Sequence, residues 1–363
     1  MTTSRDDLLA MAATLRKVLG TGVQGTVVQG TGQGAVADPG WRARWPVLAE
    51  LGLAGFCASQ DHGGFGAEMP AALVAARELG AALDGSPYPA MVAASYALTR
   101  WLAPGLGEEV ADAAISGAHV PTLAYLDSAA MVAGHPGGLQ VTGRAHVVAA
   151  PAAADSFLVL PSDGDALLFI RPDETCTVTR GRELDVTREV GDVAFSGTPA
   201  VPLDPPPGGR PLVERLHGLL LAGDTLGGAS QMLDRTVAYA AGRMAFGKAI
   251  GGQQAVQHRL VDHTIRLRGM SLLADEAATG LAGEALLARG GQDAGRATAL
   301  AEASVAAGAL ALLHDLVQLT GAIAFTWEYG LHLYERRAHV NARLARNPRR
   351  ARRLLAEHEG WAR

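Results

Sequence analysis

The stretch Gly242–Asp262, GRMAFGKAIGGQQAVQHRLVD, decides how this chain is read. It interrupts long Ala- and Leu-rich helical sequence with an arginine, a phenylalanine and four glycines: Gly242, Arg243 and Phe246 are followed by Gly247, Gly251 and Gly252. The helical pattern resumes at Gln254. A helix break exposes backbone N–H groups, and glycines let another molecule approach the backbone closely. Taken alone, the stretch reads most simply as an arginine in a surface ion pair and a phenylalanine in the core.

Outward from it, the chain falls into three textures. Residues 1–117 read as helices: DDLLAMAATLRKVL has apolar positions at three and four spacing after Ser4, a candidate N-cap. PAALVAARELGAAL repeats the pattern with Gly80 inside it, and a Gly-rich loop bounded by Pro70 separates the two. Residues 118–206 carry short β-prone runs, VPTLAYL, GLQVTGRAHVVAA, DSFLVLPS, DALLFIRP and TCTVTRGREL, divided by Gly, Pro and Asp. That texture predicts an antiparallel β-domain. PLDPPPGGRP, 202–211, reads as a linker, and residues 207–363 return to long helices. The expected class is α+β, in the order helices, strands, helices.

The totals exclude several functions. The chain has 363 residues, 48% of them hydrophobic, enough for a large core. A net charge of −5 gives no overall electrostatic reason to bind nucleic acid. Cys57 and Cys176 are widely spaced, which fits a reducing compartment and no metal site. No signal-peptide run opens the chain and no apolar stretch reads as a membrane span, so a cytoplasmic protein is expected. Near the C-terminus Arg343, Arg346, Arg349, Arg350, Arg352 and Arg353 form a basic run, read as a solvated helix face.

With the quoted stretch in its place, the whole chain resembles the acyl-CoA dehydrogenase family. GRMAFGKAIGGQQAVQHRLVD is similar to its Arg-x-x-Phe-Gly-x-x-Ile…Gln-Ala-Val-Gln-His element. QLTGAIAFTWEYGLHLYERRA is similar to its Gln-x-x-Gly-Gly-x-Gly-Phe-Thr-x-Glu segment, and LGLAGFCASQDHGGFG to part of its N-terminal domain. The resemblance implies an N-terminal helical domain, a middle β-domain and a C-terminal four-helix bundle. It implies α,β-dehydrogenation of an acyl-CoA thioester: a carboxylate removes the α-proton, FAD accepts the β-hydride, and an electron-transfer acceptor reoxidises the flavin. FAD in this family lies between subunits. By resemblance, Arg243, Phe246, Ile250, Gln253, Gln318, Gly321 and Ala322 would form the wall for a neighbour's adenine-diphosphate end. Arg243 has the planar fork that suits a diphosphate.

The departures are one-sided. Where the family has Thr-Glu-Pro-Gly-Ala-Gly-Ser-Asp against the flavin ring, this chain has LAYLDSAAMVAG, 123–134. Where it has Lys-x-Trp-Ile-Thr-Asn, this chain has RAHVVAAPAAAD, with Val147 and Ala149 at the aromatic and hydroxyl positions. Hydrogen bonds to the ring tune it as an electron acceptor, and the usual donors are gone. The family's two base positions fall near Ala345 and on His217, and neither is a carboxylate. Glu214, one turn before His217, and His217 itself are the two candidate bases, although a glutamate near a helix start is also favoured by the helix dipole and a helix histidine is more often a packed or surface residue. Glu328, Arg336 and Arg337 are expected in structural ion pairs.

Keeping the wall while losing the ring site and base resembles one chain type of the heteromeric α2β2 acyl-CoA dehydrogenases, which act in particular on CoA thioesters of steroid side chains. The reading is a non-base-bearing subunit that completes the FAD site of a homologous partner. Three alternatives stand beside it: a homotetrameric dehydrogenase with Glu214 as displaced base, a flavin monooxygenase of the same fold, and a scaffold that binds no flavin.

Overall fold

The computed structural model describes residues 4–20, 40–103, 106–135, 138–181, 184–287, 292–345 and 348–361. Among the described residues five α-helices come first: α1 (Arg5–Leu19), α2 (Trp41–Glu50), α3 (Met69–Ala82), α4 (Tyr88–Trp101) and α5 (Leu106–Ile115). Ser4 does cap α1: its Oγ accepts the Asp7 N–H at 3.2 Å, and Asp7 returns a bond to the Ser4 N–H. Pro70 falls in the first turn of α3, where its missing N–H costs nothing.

Seven strands follow: β1 (Pro121–Tyr125), β2 (Met131–His135), β3 (Gly138–Ala149), β4 (Ser156–Leu160), β5 (Leu168–Ile170), β6 (Cys176–Arg180) and β7 (Val190–Pro202). They pair in the order β1-β4-β5-β7-β3-β2, with β6 also on β7. The sheet is not wholly antiparallel as expected, because β1 runs parallel to β4. The sequence reading also missed β2 and β7. β7, VGDVAFSGTPAVP, holds β3, β5 and β6 together, yet its glycines and prolines mask its alternation. Phe157 and Phe195 meet edge-to-face at 5.9 Å in the sheet's own core.

The second helical part comprises α6 (Gly209–Gly242), a hairpin of β8 (Met244–Ala245) and β9 (Lys248–Ala249), α7 (Gln254–Leu287), α8 (Gln292–Thr320), α9 (Leu331–Leu344) and α10 (Pro348–His358). α6 is the axis of the molecule. From Leu216 to Ala229 every residue is buried, because α3, α4, α7, α8 and α9 all pack on it. Burying Leu216, Leu219 and Leu220 stabilises by about 1.5–3 kcal/mol each. α8 corrects another expectation. Ala294–Phe325 is apolar and long enough for a membrane span by composition. Its apolar side packs against α6 and α7, and it carries Glu302 and Asp315.

Two features fix α6. At the crossing with α3 the backbones touch: a Cβ on Gly80 would strike the Asp224 carbonyl, and one on Gly227 the Arg77 carbonyl, both well inside 3.0 Å. Beside that crossing, the Asp224 carboxylate takes Arg337 Nε at 3.0 Å and Nη2 at 2.8 Å, Arg188 Nη2 at 3.2 Å and Asn341 Nδ2 at 2.7 Å. Arg337 also donates to Thr187 Oγ1 and the Asp84 carbonyl. Burial alone would push the Asp224 carboxyl up. Arg337 and Arg188 outweigh burial and hold it at about 2. The partner of Arg337 is therefore Asp224 and not Glu328, whose backbone carbonyl accepts Arg235 instead. Arg336 donates to the Leu184 carbonyl.

Gly227→Ala should lower unfolding stability by several kcal/mol in urea titration, as overpacking against backbone does (about 1–3 kcal/mol or more). Asp224→Ala should cost about 3–5 kcal/mol, since two arginines are left buried and unpaired. The sign with pH follows from the depressed carboxyl. Its stabilisation, about 2 kcal/mol, is complete above the ordinary 3.8 and is lost as pH falls through about 2. Acid unfolding of Asp224→Asn should lack that component.

Candidate functional site

The quoted stretch is not a bare helix break. α6 ends with Arg243 as its C-cap, whose N–H bonds the Tyr239 carbonyl at 2.8 Å. The chain then turns back: Met244 pairs with Ala249 and Ala245 with Lys248. The two residues between them, Phe246 and Gly247, have φ of 54° and 79°. Positive φ at both central residues marks a type I′ hairpin turn, easy for glycine and strained for phenylalanine. The Ile250 N–H closes the loop onto the Arg243 carbonyl at 2.8 Å, a 3-10 turn spans Ile250–Gly252, and the Gln253 N–H bonds the Ile250 carbonyl. The strain holds the Phe246 ring 96% exposed.

The second wall segment lies at the same end of the bundle. α7 and α8 are antiparallel neighbours, tied by Arg259 Nε to Asp315 at 3.0 Å and His263 Nε2 to Asp315 at 2.6 Å. The start of α7 therefore stands beside the end of α8, where Gln318 is exposed. Gly321 and Ala322 open a 3-10 turn over Gly321–Phe325, with Gly321 at φ 70°. Tyr239 of α6 meets Tyr329 edge-to-face at 5.8 Å, which brings the end of α6 to the same place. The structure thus gathers Arg243, Phe246, Ile250, Gln253, Gln318, Gly321 and Ala322 around one end of the bundle. Phe246, Gln318, Gly321 and Ala322 face outward, with Met244, Phe325 and Trp327 as exposed apolar neighbours.

The candidate base positions are elsewhere. His217 and Arg243 are separated by 26 residues of α6, roughly 39 Å at 1.5 Å per residue. His217 is buried, and its Nδ1 lies 3.2 Å from the Tyr125 hydroxyl, with the two rings stacked at 5.9 Å. Tyr125 ends β1, in the segment LAYLDSAAMVAG. Burial, with the Arg188 charge adding to it, pushes His217 down to about 3, so the imidazole is neutral at physiological pH. Glu214 is buried too, and its carboxylate is shared by Arg210 Nε at 3.2 Å and Arg350. Arg210 in turn donates to the Pro161 and Gly164 carbonyls, both at 2.6 Å. Arg350 thus leaves the basic run for a specific ion pair, while Arg346 lies outside the described residues. Ala345 lines a small cavity with Gly218, Glu302 and Asn341.

In the β-domain the segment RAHVVAAPAAAD bulges. The register of β3 on β7 shifts between Ala145 and Val148, and Val147 and Ala150 take φ of 57° and 47°. Asp192 clamps the bulge through His146 Nδ1 at 2.9 Å and the Val147 N–H at 3.1 Å. The backbone contortion is present, and apolar side chains occupy it. Sequence reasoning missed Tyr125 as the partner of His217 and Asp224 as the hub of the arginines. The signal for Asp224 was an acid inside LLLAGDTLGG. For Tyr125 there was none, since its meaning depends on a contact across 92 residues.

Comparison with known proteins places these features. Residues 214–357 match the model of the acyl-CoA dehydrogenase C-terminal domain. Acyl-CoA dehydrogenase IpdE2 of Mycobacterium tuberculosis is 30% identical over 354 residues, covering 95% of this chain and 97% of that protein. The fold is similar to that of a Tcur3481-Tcur3483 steroid ACAD variant, with TM-score 0.85, 22% identity and 99% of both chains covered. It is similar also to a chain of the ChsE4-ChsE5 complex from Mycobacterium tuberculosis, with TM-score 0.83, 24% identity and coverage of 99% and 98%. With its N-terminal helices, middle β-domain and C-terminal bundle, the chain belongs to the acyl-CoA dehydrogenase family, oxidoreductases that act on acyl-CoA.

Proposed function

We propose that this chain is the non-base-bearing subunit of a hetero-oligomeric α2β2 acyl-CoA dehydrogenase. It lends the adenine-diphosphate wall of its C-terminal part, 207–363, to the FAD of a homologous partner and runs no chemistry at its own ring position. The observation that carries this reading is the direct contact of Tyr125 with His217. A dehydrogenase must fit the thioester between base and flavin, two van der Waals layers of roughly 3.5 Å each. Here the strand that would face the ring and the position that would hold the base touch at 3.2 Å. Burial holds His217 down to about 3, too weak a base for an α-proton, and its Nδ1 meets the Tyr125 hydroxyl, while Glu214 is engaged by two arginines, so neither is placed to take an α-proton.

The wall fits the other end of the cofactor. Arg243 and the exposed Phe246 offer a guanidinium and an apolar ring beside a glycine-rich turn, a set of contacts suited to a diphosphate and an adenosine. The roughly 39 Å along α6 places the wall far from the chain's own Tyr125 and His217, so a cofactor on it takes its ring contacts from another subunit. FAD would supply the hydride acceptor there. The exposed Met244, Phe246, Phe325 and Trp327 suit burial against that subunit. The likeness to a steroid ACAD favours a steroid CoA thioester, acted on at its side chain, as substrate. An electron-transfer acceptor would reoxidise the flavin, in the cytoplasm.

The chain purified alone should be colourless. Co-expressed with a homologous subunit, it should copurify with flavin at about half the total subunit count. Visible absorption decides between these outcomes, and one flavin per chain in the isolated protein would overturn the reading. In the complex, Arg243→Ala should weaken FAD retention about 10- to 100-fold, as loss of a charge-assisted bond to a phosphate does. Glu214→Gln should leave turnover with acyl-CoA and a dye acceptor intact, whereas abolished turnover with bound flavin would make Glu214 the base.

A further inference from the structure

A cavity of about 30 Å³, room for about two water molecules, lies between α6, α8 and α9. Its walls are mostly Gly218, Leu221, Ala222, Val305 and the alanines of α9, and its polar groups are Glu302, Asn341 and Thr225. Thr225 is satisfied: its hydroxyl donates to the Leu221 carbonyl and accepts Asn341 Nδ2. Asn341 is 2% exposed and its amide has one orientation. Nδ2 faces the Asp224 carboxylate, which can only accept. Asn341 Oδ1 is therefore left buried as an acceptor with no donor, a state that costs stability unless something donates to it.

Glu302 is the other polar side chain at the cavity that has no hydrogen-bond partner among the described residues. Gly218 makes room for it: a Cβ there would strike the Glu302 carboxyl well inside 3.0 Å, so the carboxyl lies on the backbone of α6. Its charged surroundings are Arg350 from α10 and Glu214 and Arg215 from α6, while α9 presents neutral Asn341. Both cations are already committed, Arg350 to Glu214 and Arg215 to Glu284. A carboxylate here would face apolar walls, a second carboxylate and an acceptor, whereas a carboxylic acid would supply the missing donor.

We propose that Glu302 is protonated at neutral pH and donates, through water in the cavity, toward Asn341 Oδ1, forming a proton-dependent tie between α8 and α9. Glu302 is half-buried, and the protein packed around its carboxyl pushes it up to about 8, with Glu214 adding to the rise and Arg350 and Arg215 opposing it. The cavity touches Ala345 and Gly218, the residue after His217, so the tie lies beside the two positions singled out in the sequence as those of a base. It stands independently of the subunit reading above.

The folded chain keeps a proton that the unfolded chain releases above the ordinary 4.5, so stability declines as pH rises from 4.5 and levels off above about 8. Within that window Glu302 weakens the folding constant by up to about tenfold per pH unit. The test uses the full chain in the assembly in which it purifies, unfolded by urea from pH 6 to 9. Glu302→Gln, which keeps a donor and cannot ionise, should be less sensitive to pH than wild type and relatively more stable at pH 9. Equal pH slopes would overturn the proposal. Should the variant fail to fold, infrared spectra of wild type labelled with carboxyl-¹³C glutamate decide the matter. A protonated glutamic acid carbonyl band at pH 7 that fades by pH 9 supports it, and absence of that band at pH 7 overturns it.

Discussion

Asp224 is the residue on which the rest of the structure depends. Its backbone carbonyl lies against Gly80 at the crossing of α3 and α6, and its side chain gathers Arg188 from the loop before β7 with Arg337 and Asn341 from α9. One residue therefore ties the N-terminal helices, the β-domain and the bundle to the same turn of α6. A buried carboxylate is tolerable there because its acceptor sites are filled by charged and amide donors. Asn341, oriented by that carboxylate, turns its carbonyl away, and the Glu302 cavity is a consequence of the same hub.

α6 also separates the chain's two candidate regions. Its buried end holds His217 against Tyr125 and Glu214 between Arg210 and Arg350, all inside the protein. Its far end emerges into solvent and turns through a strained hairpin that displays Phe246. The first end is largely closed, with His217 met by Tyr125 and Glu214 by Arg210 and Arg350 from the same chain. The second is open, with an aromatic ring in water and a φ unfavourable for phenylalanine. Strain of this kind persists where the surrounding structure over-determines the backbone, here the β8–β9 pairing and the Ile250 N–H on the Arg243 carbonyl. The contrast between a closed end and an open one is what the proposed subunit role, lending contacts to a cofactor rather than receiving them, rests on.

The retained backbone of the β-domain fits the same picture. Val147 and Ala150 keep left-handed conformations in the bulge of β3, although neither is glycine or asparagine. The chain follows this irregular path with Val147 and Ala149 as apolar side chains along it. Packing and register explain this, because β3 is clamped by β7 along its length and by Asp192 at the bulge.

The sequence by itself determined the succession of helices, strands and helices, the cap at Ser4, the interruption of helix between Arg243 and Gln254, and the absence of a carboxylate at positions 217 and 345. These follow from local pattern, which periodicity, glycine and proline carry directly. It missed β7, whose place at the centre of the sheet comes from pairing rather than alternation, and the parallel register of β1 on β4. The tertiary structure alone decided that residues 243–249 form a hairpin that exposes Phe246. It also decided that Tyr125 closes on His217, that Asp224 and not Glu328 holds Arg337, and that Glu302 faces a cavity with an unsatisfied amide oxygen. Each of these is a contact between residues far apart in sequence, and burial and partners, which set charge states and closure, exist only once the chain has folded.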